Sequence, residues 1–181
     1  EEREWAARGW YDEVRAAVSY RPPEWATVES SPGGPLHPLD VCRAVQGALE
    51  GHDQAVFVSD GGEFGQWAQA CIDAPNRIIN GPGGAIGGSI PSALAARLAF
   101  PDSPVIAVLG DGSFGFHALE FDTAVRHGLP FVAVVGNDAA WNAEYQIQLR
   151  TYGADRLVGC ELLGSRYDRL VEALGGHGEY V

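Results

Sequence analysis

The sequence predicts an α/β protein, a three-layer α/β/α sandwich built on a mostly parallel sheet. Three observations predict it. Short runs rich in Val and Ile alternate with longer segments of helical period. No hairpin signal joins one run to the next, so the strands have to pair in parallel, with crossover helices on both faces of the sheet. Each of the three strongest runs also passes directly into glycine and acidic residues, at the strand ends where ligands of such sheets bind.

The elements follow in chain order. Residues 1–20 have helical composition, with Trp5, Ala6 and Trp10 set among charges, and Arg21-Pro22-Pro23 stops that helix. The run from Ser30 to Pro38 (SSPGGPLHP) has linker composition. Residues 1–30 are therefore expected to be the tail of a preceding domain with its linker, and residues 31–181 the main domain. Leu39 to Leu49 is an amphipathic helix, and Ala55 to Ser59 a short buried strand. Phe64 to Cys71 is helical, Arg77 to Ile79 a short strand, and Pro91 to Phe100 an Ala/Leu helix. Val105 to Leu109 is the second strong strand. Ala118, Phe121 and Val125 share one face of the next helix, and Phe131 to Val135 is the third strong strand. Ser165 to Leu174 is the last helix, after which Gly175 to Val181 is expected to enter a further strand.

Charge and cysteine content narrow the function. The chain has 181 residues, 46% of them hydrophobic and 20% charged, which suits one globular domain. A net charge of -12 with no basic stripe argues against nucleic acid and anionic membrane as partners. A polyanionic ligand would then have to be held through a metal ion or backbone N–H groups. Cys42, Cys71 and Cys160 are widely spaced, with no C-x-x-C pair, as expected of reduced thiols in a cytoplasmic protein. No apolar run reaches the length of a membrane span, and no charged-then-apolar leader opens the sequence. The first residue is Glu1 rather than Met, so a longer parent polypeptide is expected.

The strand ends carry the chemistry. They read Asp60-Gly61-Gly62-Glu63, Gly110-Asp111-Gly112-Ser113 and Gly136-Asn137-Asp138, with the glycine loop Asn80 to Gly88 lying between the first two. Asp-Gly is a common turn pair, and Asn137-Asp138 alone could be a loop cap. At a strand's carboxyl end before a helix, however, glycines admit phosphate oxygens to backbone N–H groups. Asp111 would repel a bare phosphate, so it makes sense there only with a cation between the two. Asp138, on the neighbouring strand, would converge with Asp111. Two carboxylates, a backbone carbonyl, two diphosphate oxygens and a water would complete the octahedral shell of magnesium. The glycine loop is not a dinucleotide fingerprint, because Ile86 stands where G-x-G-x-x-G starting at Gly81 requires glycine. A plain flexible loop is the alternative.

The run GDGSFGFHALEFDTAVRHGLPFVAVVGNDAAW, opened by Gly110-Asp111-Gly112 and closed by Asn137-Asp138, resembles the thiamine-diphosphate motif. The likeness extends from Leu36-His37-Pro38 to about Val181, nearest to acetolactate synthases, benzaldehyde lyase and 2-hydroxyacyl-CoA lyases. The resemblance implies that thiamine diphosphate is bound through Mg2+, with Asp111, Asp138 and the Ala140 carbonyl as protein ligands. Asp138 replaces the family's usual Asn, which adds a charge and makes Ca2+ an alternative metal. The resemblance also implies that Gly61, Gly62, Gly110, Gly112 and Ser113 line the diphosphate. The Gly84 carbonyl would accept from the 4′-amino group of the aminopyrimidine, and Ile86 would prop the cofactor in its bent form. Trp141 opens the segment Trp141 to Gln148, which would help to form the substrate pocket.

The same resemblance implies an incomplete site. The glutamate that protonates N1′ of the pyrimidine belongs to a separate pyrimidine-binding domain, in cis or on another subunit, and no residue here matches it. The chain is expected to be truncated at its C-terminal end and to work in a homo- or hetero-oligomer. The expected activity is that of a carbon–carbon lyase or carboligase of the 2-hydroxyacyl-CoA lyase type, acting on a small carbonyl or acyl-CoA compound. Acetolactate synthases carry Met and Trp where this chain has Ala143 and Ile147, which counts against that alternative. A 2-oxo acid decarboxylase and an inactive cofactor-binding module are the others. Glu144 is either a catalytic acid/base or a solvated helix residue. A carboxyl group that donates a proton at neutral pH needs an apolar wall, which Trp141 and Ile147 would supply. His117, His127 and His177 have no partner pattern and are expected to be surface or structural residues.

Overall fold

A computed structural model describes residues 8–80 and 83–181. These residues form two compact units that divide between His37 and Pro38. The first contains helix α1 (Arg8–Ser19) and a 3-10 turn (Pro23–Ala26). Pro22 and Pro23 cannot continue α1, and the Arg21 guanidinium donates to the Val18 and Tyr20 carbonyls left open at its end. Trp5 and Ala6, expected to lie in this helix, fall outside the described residues.

The second unit carries the sheet. Its elements are α2 (Pro38–Leu49), β1 (Val56–Ser59), α3 (Gly62–Cys71), β2 (Asn76–Ile79), α4 (Ser89–Ala99), β3 (Val105–Gly110), α5 (Asp111–His117), α6 (Glu120–His127), β4 (Val132–Gly136), α7 (Asn142–Tyr152) and α8 (Tyr167–Ala173). The four strands run in the order β2-β1-β3-β4, and every pair is parallel. The sheet is thus the α/β sandwich expected, and among the described strands it is wholly parallel.

Alternation along the strands builds two cores. Val56 and Val58 of β1 join Val105, Ala107 and Leu109 of β3 on one face, under Ile90 and Ala93 of α4, Phe114 of α5 and Phe121 of α6. Phe57, Ile106 and Val108 point to the other face, against Cys42, Val45 and Leu49 of α2 and Ala68 of α3. The connection from β1 to β2 runs in one direction across the sheet, and those from β2 to β3 and β3 to β4 run in the other. A common right-handed crossover then requires opposite faces, which is how α3 stands relative to α4, α5 and α6. The chain reverses direction between β1 and β3, so a crevice opens beyond their carboxyl ends.

The structure departs from the expected elements at four places. The single helix holding Ala118, Phe121 and Val125 is two helices, α5 and α6, with Ala118 and Leu119 between them. Gly112 and Gly115 weaken the first helix, and Val125 is 45% exposed rather than inward. Residues 142–152, whose period is indistinct, form the complete helix α7, and none of its residues is buried. The tail from Gly175 to Val181, expected to enter a strand, forms none. The remaining boundaries shift by one or two residues, as helix and strand ends commonly do.

Candidate functional site

Two strands deliver the acidic residues together. Gly110 and Gly136 are register partners at the ends of β3 and β4, so Asp111 and the loop holding Asp138 leave the sheet side by side. Asp111 opens α5 and is 3% exposed. Its Oδ1 accepts the Gly112 N–H at 2.9 Å, while the buried Oδ2 has no hydrogen-bond partner. Burial raises the Asp111 pKa above the usual 3.8, the Gly112 N–H opposes that rise, and the charge of Asp138 adds to it. An unpartnered buried carboxylate oxygen aimed beside a second carboxylate is a costly arrangement without a cation.

Asp138 is exposed, and its Oδ1 accepts the Ala140 N–H at 3.1 Å. Between them Ala139 has φ +57°, the one left-handed residue other than glycine among the described residues. That conformation is held from several directions. Asn137 Oδ1 accepts the Ala139 N–H, Asn137 Nδ2 reaches the Ser165 carbonyl, and the Ala139 carbonyl accepts from Leu162 at 2.7 Å. Ala140 itself bridges to Glu161. The left-handed turn at Ala139 lies in the loop that leaves β4 beside the end of β3, where Asp111 stands.

Glycine is required where the loops pack closest. A Cβ on Gly112 would lie 2.4 Å from the Trp141 ring, which therefore seats directly on the Gly110-Asp111-Gly112 turn. Phe116 meets Trp141 edge-on at 6.1 Å. Ser113 is buried in the first turn of α5. Helices α3, α4 and α5 have Gly61, Gly88 and Gly110 as N-caps, and none of these caps offers a side-chain hydrogen bond. Helices α3 and α5 thus start at the carboxyl ends of β1 and β3, where helix N-termini suit diphosphate oxygens, although the Gly112 N–H of α5 is taken by Asp111.

The structure also places the remaining expected residues. Gly84 (φ +77°) is exposed and Ile86 half-buried, in the loop before α4; Gly81 and Pro82 of that loop lie outside the described residues. Glu144 stands exposed in the first turn of α7. Of the two residues expected to wall it, Ile147 is 53% exposed and Trp141 packs against Gly112.

Two residues at this end of the sheet make contacts that the sequence reading did not assign to them. Asp60, completely buried, accepts the N–H groups of Gly61, Gly87 and Ser89 at 2.8, 2.9 and 3.0 Å. A charge at the end of a buried run, separated from Ala55-Val56-Phe57-Val58 only by Ser59, was the available signal. His117, expected to be a surface or structural residue, places Nδ1 2.6 Å from the Gly87 carbonyl; nothing local in the sequence marks it.

The donor set fits a hard divalent cation bound together with a diphosphate. Among the described residues no three His, Cys, Asp or Glu side chains gather to hold a metal by themselves. Two carboxylates and a carbonyl leave coordination positions that only the ligand and water would fill, as magnesium prefers. Among the described residues, no helix is long and apolar enough to cross a membrane.

Comparison with known proteins agrees with this geometry. Residues 60–181 match the family described as "Thiamine pyrophosphate enzyme, C-terminal TPP binding domain". The chain is 43% identical over 151 residues, 81% of its length, to the acetolactate synthase large subunit IlvG of Mycobacterium tuberculosis. It is 34% identical over 176 residues, 95% of its length, to 2-hydroxyacyl-CoA lyase 2 of Homo sapiens, and 36% identical over 152 residues, 82% of its length, to that of Caenorhabditis elegans. It spans about a quarter of these relatives: 27% of the first two and 23% of the third. The matched residues begin at Asp60 and take in every strand end that builds the crevice, and on that basis the chain belongs to the thiamine pyrophosphate enzymes, as their C-terminal TPP binding domain.

Proposed function

We propose that this chain supplies the diphosphate and metal half of a thiamine-diphosphate-dependent carbon–carbon lyase or carboligase of the 2-hydroxyacyl-CoA lyase type. The observation that carries the proposal is the buried, unpartnered Asp111 Oδ2 beside Asp138, at the carboxyl end of a central strand. Asp111, Asp138 and the Ala140 carbonyl would ligate Mg2+, with Ca2+ as the alternative that the extra charge of Asp138 favours. Gly61, Gly62, Gly110, Gly112 and Ser113 would line the diphosphate, with backbone N–H groups and helix N-termini balancing its charge. Gly84 and Ile86 would hold the aminopyrimidine, and Trp141 would wall the turn that carries Asp111. When bound, thiamine diphosphate supplies a nucleophilic carbon and an electron sink for breaking or making a bond next to a carbonyl.

The pyrimidine-binding domain, in cis or on another subunit, would bring the activating glutamate and complete the site within an oligomer. Residues 1–30 would belong to the chain that leads in from a preceding domain. Cys42, Cys71 and Cys160, in no disulfide, suit a cytoplasmic setting.

Glu144 is the proposed acid/base. It precedes Tyr145 on α7, one helical turn past the Trp141 that rests on Gly112, and a second domain closing over α7 would supply the missing apolar cover. A carboxylate there suits 2-hydroxyacyl thioesters, whose cleavage requires a hydroxyl proton to leave. It repels the carboxylate of pyruvate. The second reading, an acetolactate synthase, draws on the 43% identity to the Mycobacterium tuberculosis relative, while Ala143 and Ile147 oppose it. The native polypeptide, given a 2-hydroxyacyl-CoA and, separately, pyruvate, is expected to cleave the first. Glu144→Ala should lose that turnover by about 100-fold or more, the range for a lost general acid/base, while keeping bound cofactor. Robust acetolactate formation, indifferent to the substitution, would favour the synthase.

A further inference from the structure

We propose that Asp60 and His117 are positioning residues that clamp the Gly87 backbone from both sides, and thereby fix the loop on which Gly84 and Ile86 meet the aminopyrimidine. The proposal rests on the cofactor reading above and names two groups outside it.

On one side the Gly87 N–H donates to Asp60 Oδ1 at 2.9 Å. On the other the Gly87 carbonyl accepts from His117 Nδ1 at 2.6 Å, which requires the hydrogen on Nδ1. Phe116 closes a third side: a Cβ at Gly87 would fall 2.5 Å from the Phe116 Cβ, and the φ of +90° admits glycine alone at little cost. The Gly87 backbone is therefore held at its N–H, its carbonyl and its α-carbon, although nearby residues of the loop, Gly83 to Ala85, are exposed. A glycine-rich loop left free would lose much backbone entropy on gripping a ligand, and a clamp at its base lowers that cost before the ligand arrives.

The two groups reach different distances. Asp60 also accepts the N–H groups of Gly61 and Ser89, so it ties the diphosphate turn after β1 to the start of α4. His117 holds the Gly87 carbonyl alone. The clamp thus has one arm common to both halves of the cofactor and one arm confined to the aminopyrimidine half.

That difference gives the test, made on the native full-length protein. His117→Leu should weaken thiamine diphosphate binding by about fivefold, the scale of one net hydrogen bond, and leave magnesium pyrophosphate binding unchanged. His117→Asn, whose Nδ2 lies near the place of Nδ1, should restore most of the loss. Asp60→Asn turns an N–H donor toward backbone N–H groups and should weaken both ligands by about tenfold or more. Hydrogen exchange at Gly87 and Ser89, measured without cofactor, should quicken in both His117→Leu and Asp60→Asn. Unchanged exchange, or an equal loss of both ligands in His117→Leu with no recovery in His117→Asn, would overturn the clamp. The exchange arm needs no ligand, so it separates failure of the clamp from failure of the cofactor reading, which would show as wild-type protein that does not bind thiamine diphosphate.

Discussion

Replacing Asp111 by Asn should make the ligand-free chain more stable while destroying its hold on the metal and diphosphate. The carboxylate is 3% exposed, its Oδ2 has no partner, and Asp138 stands near enough to raise its pKa. Asn keeps an oxygen for the Gly112 N–H and removes both the buried charge and the repulsion. An unsatisfied buried polar group costs about 1–3 kcal/mol, and the amide left behind retains part of that, so a gain of about 1 kcal/mol is expected. For a domain of this size that raises Tm by about 2–4 °C. The sign with pH follows from the raised pKa. The folded state binds the Asp111 proton more tightly than the unfolded state, so stability falls as pH rises from 3.8 to the folded value and stays reduced above it. The advantage of Asp111→Asn is therefore full at pH 7 and vanishes as the pH falls below 3.8. Magnesium with thiamine diphosphate should stabilise the wild type, by about 2.7 kcal/mol at a hundredfold excess over Kd, and should leave the variant unmoved. Thermal scans across pH, with and without ligand, provide the assay. A ligand-free variant less stable than wild type at pH 7, or a gap independent of pH, would refute the reasoning.

Three further outcomes follow from the same geometry. Asp138→Asn keeps an oxygen for the metal and lowers the repulsion on Asp111, so cofactor affinity in magnesium should stay within about threefold, well under the cost of a lost charged contact; titration in magnesium and in calcium checks this. Gly112→Ala places a methyl group 2.4 Å from the Trp141 ring, so overpacking of about 1–3 kcal/mol should show in urea melts, together with a changed Trp fluorescence spectrum. The Cys42 thiol is pushed up to about 12 by burial and then by its neighbour Cys71, so it should resist alkylation in the folded protein at pH 8 and react once the chain is unfolded in urea.

How far the sequence could be read depended on whether a signal was local. The strands β1 and β3, as unbroken apolar runs, and the turn Gly110-Asp111-Gly112 were legible because pattern and turn chemistry sit within a few residues. The proximity of Asp111 and Asp138 followed from the rule that parallel strands end together. The break between α5 and α6 was not legible, since Ala118, Phe121 and Val125 keep helical spacing across it. Nor was α7, whose outward residues give no stripe to read. The links from Asp60 and His117 to Gly87 span 27 and 30 residues, and such contacts exist only once the fold has closed. The exposure of Glu144 and Ile147 was not legible either, because α7 carries no apolar stripe to separate an inward from an outward face.

Asp111 is proposed to hold the diphosphate through a divalent cation. Equilibrium dialysis of thiamine diphosphate against the native protein, in magnesium and then in excess chelator, tests it most directly. Retention in magnesium, release in chelator and no retention by Asp111→Ala under either condition are the predicted results; equal retention with and without chelator would contradict it.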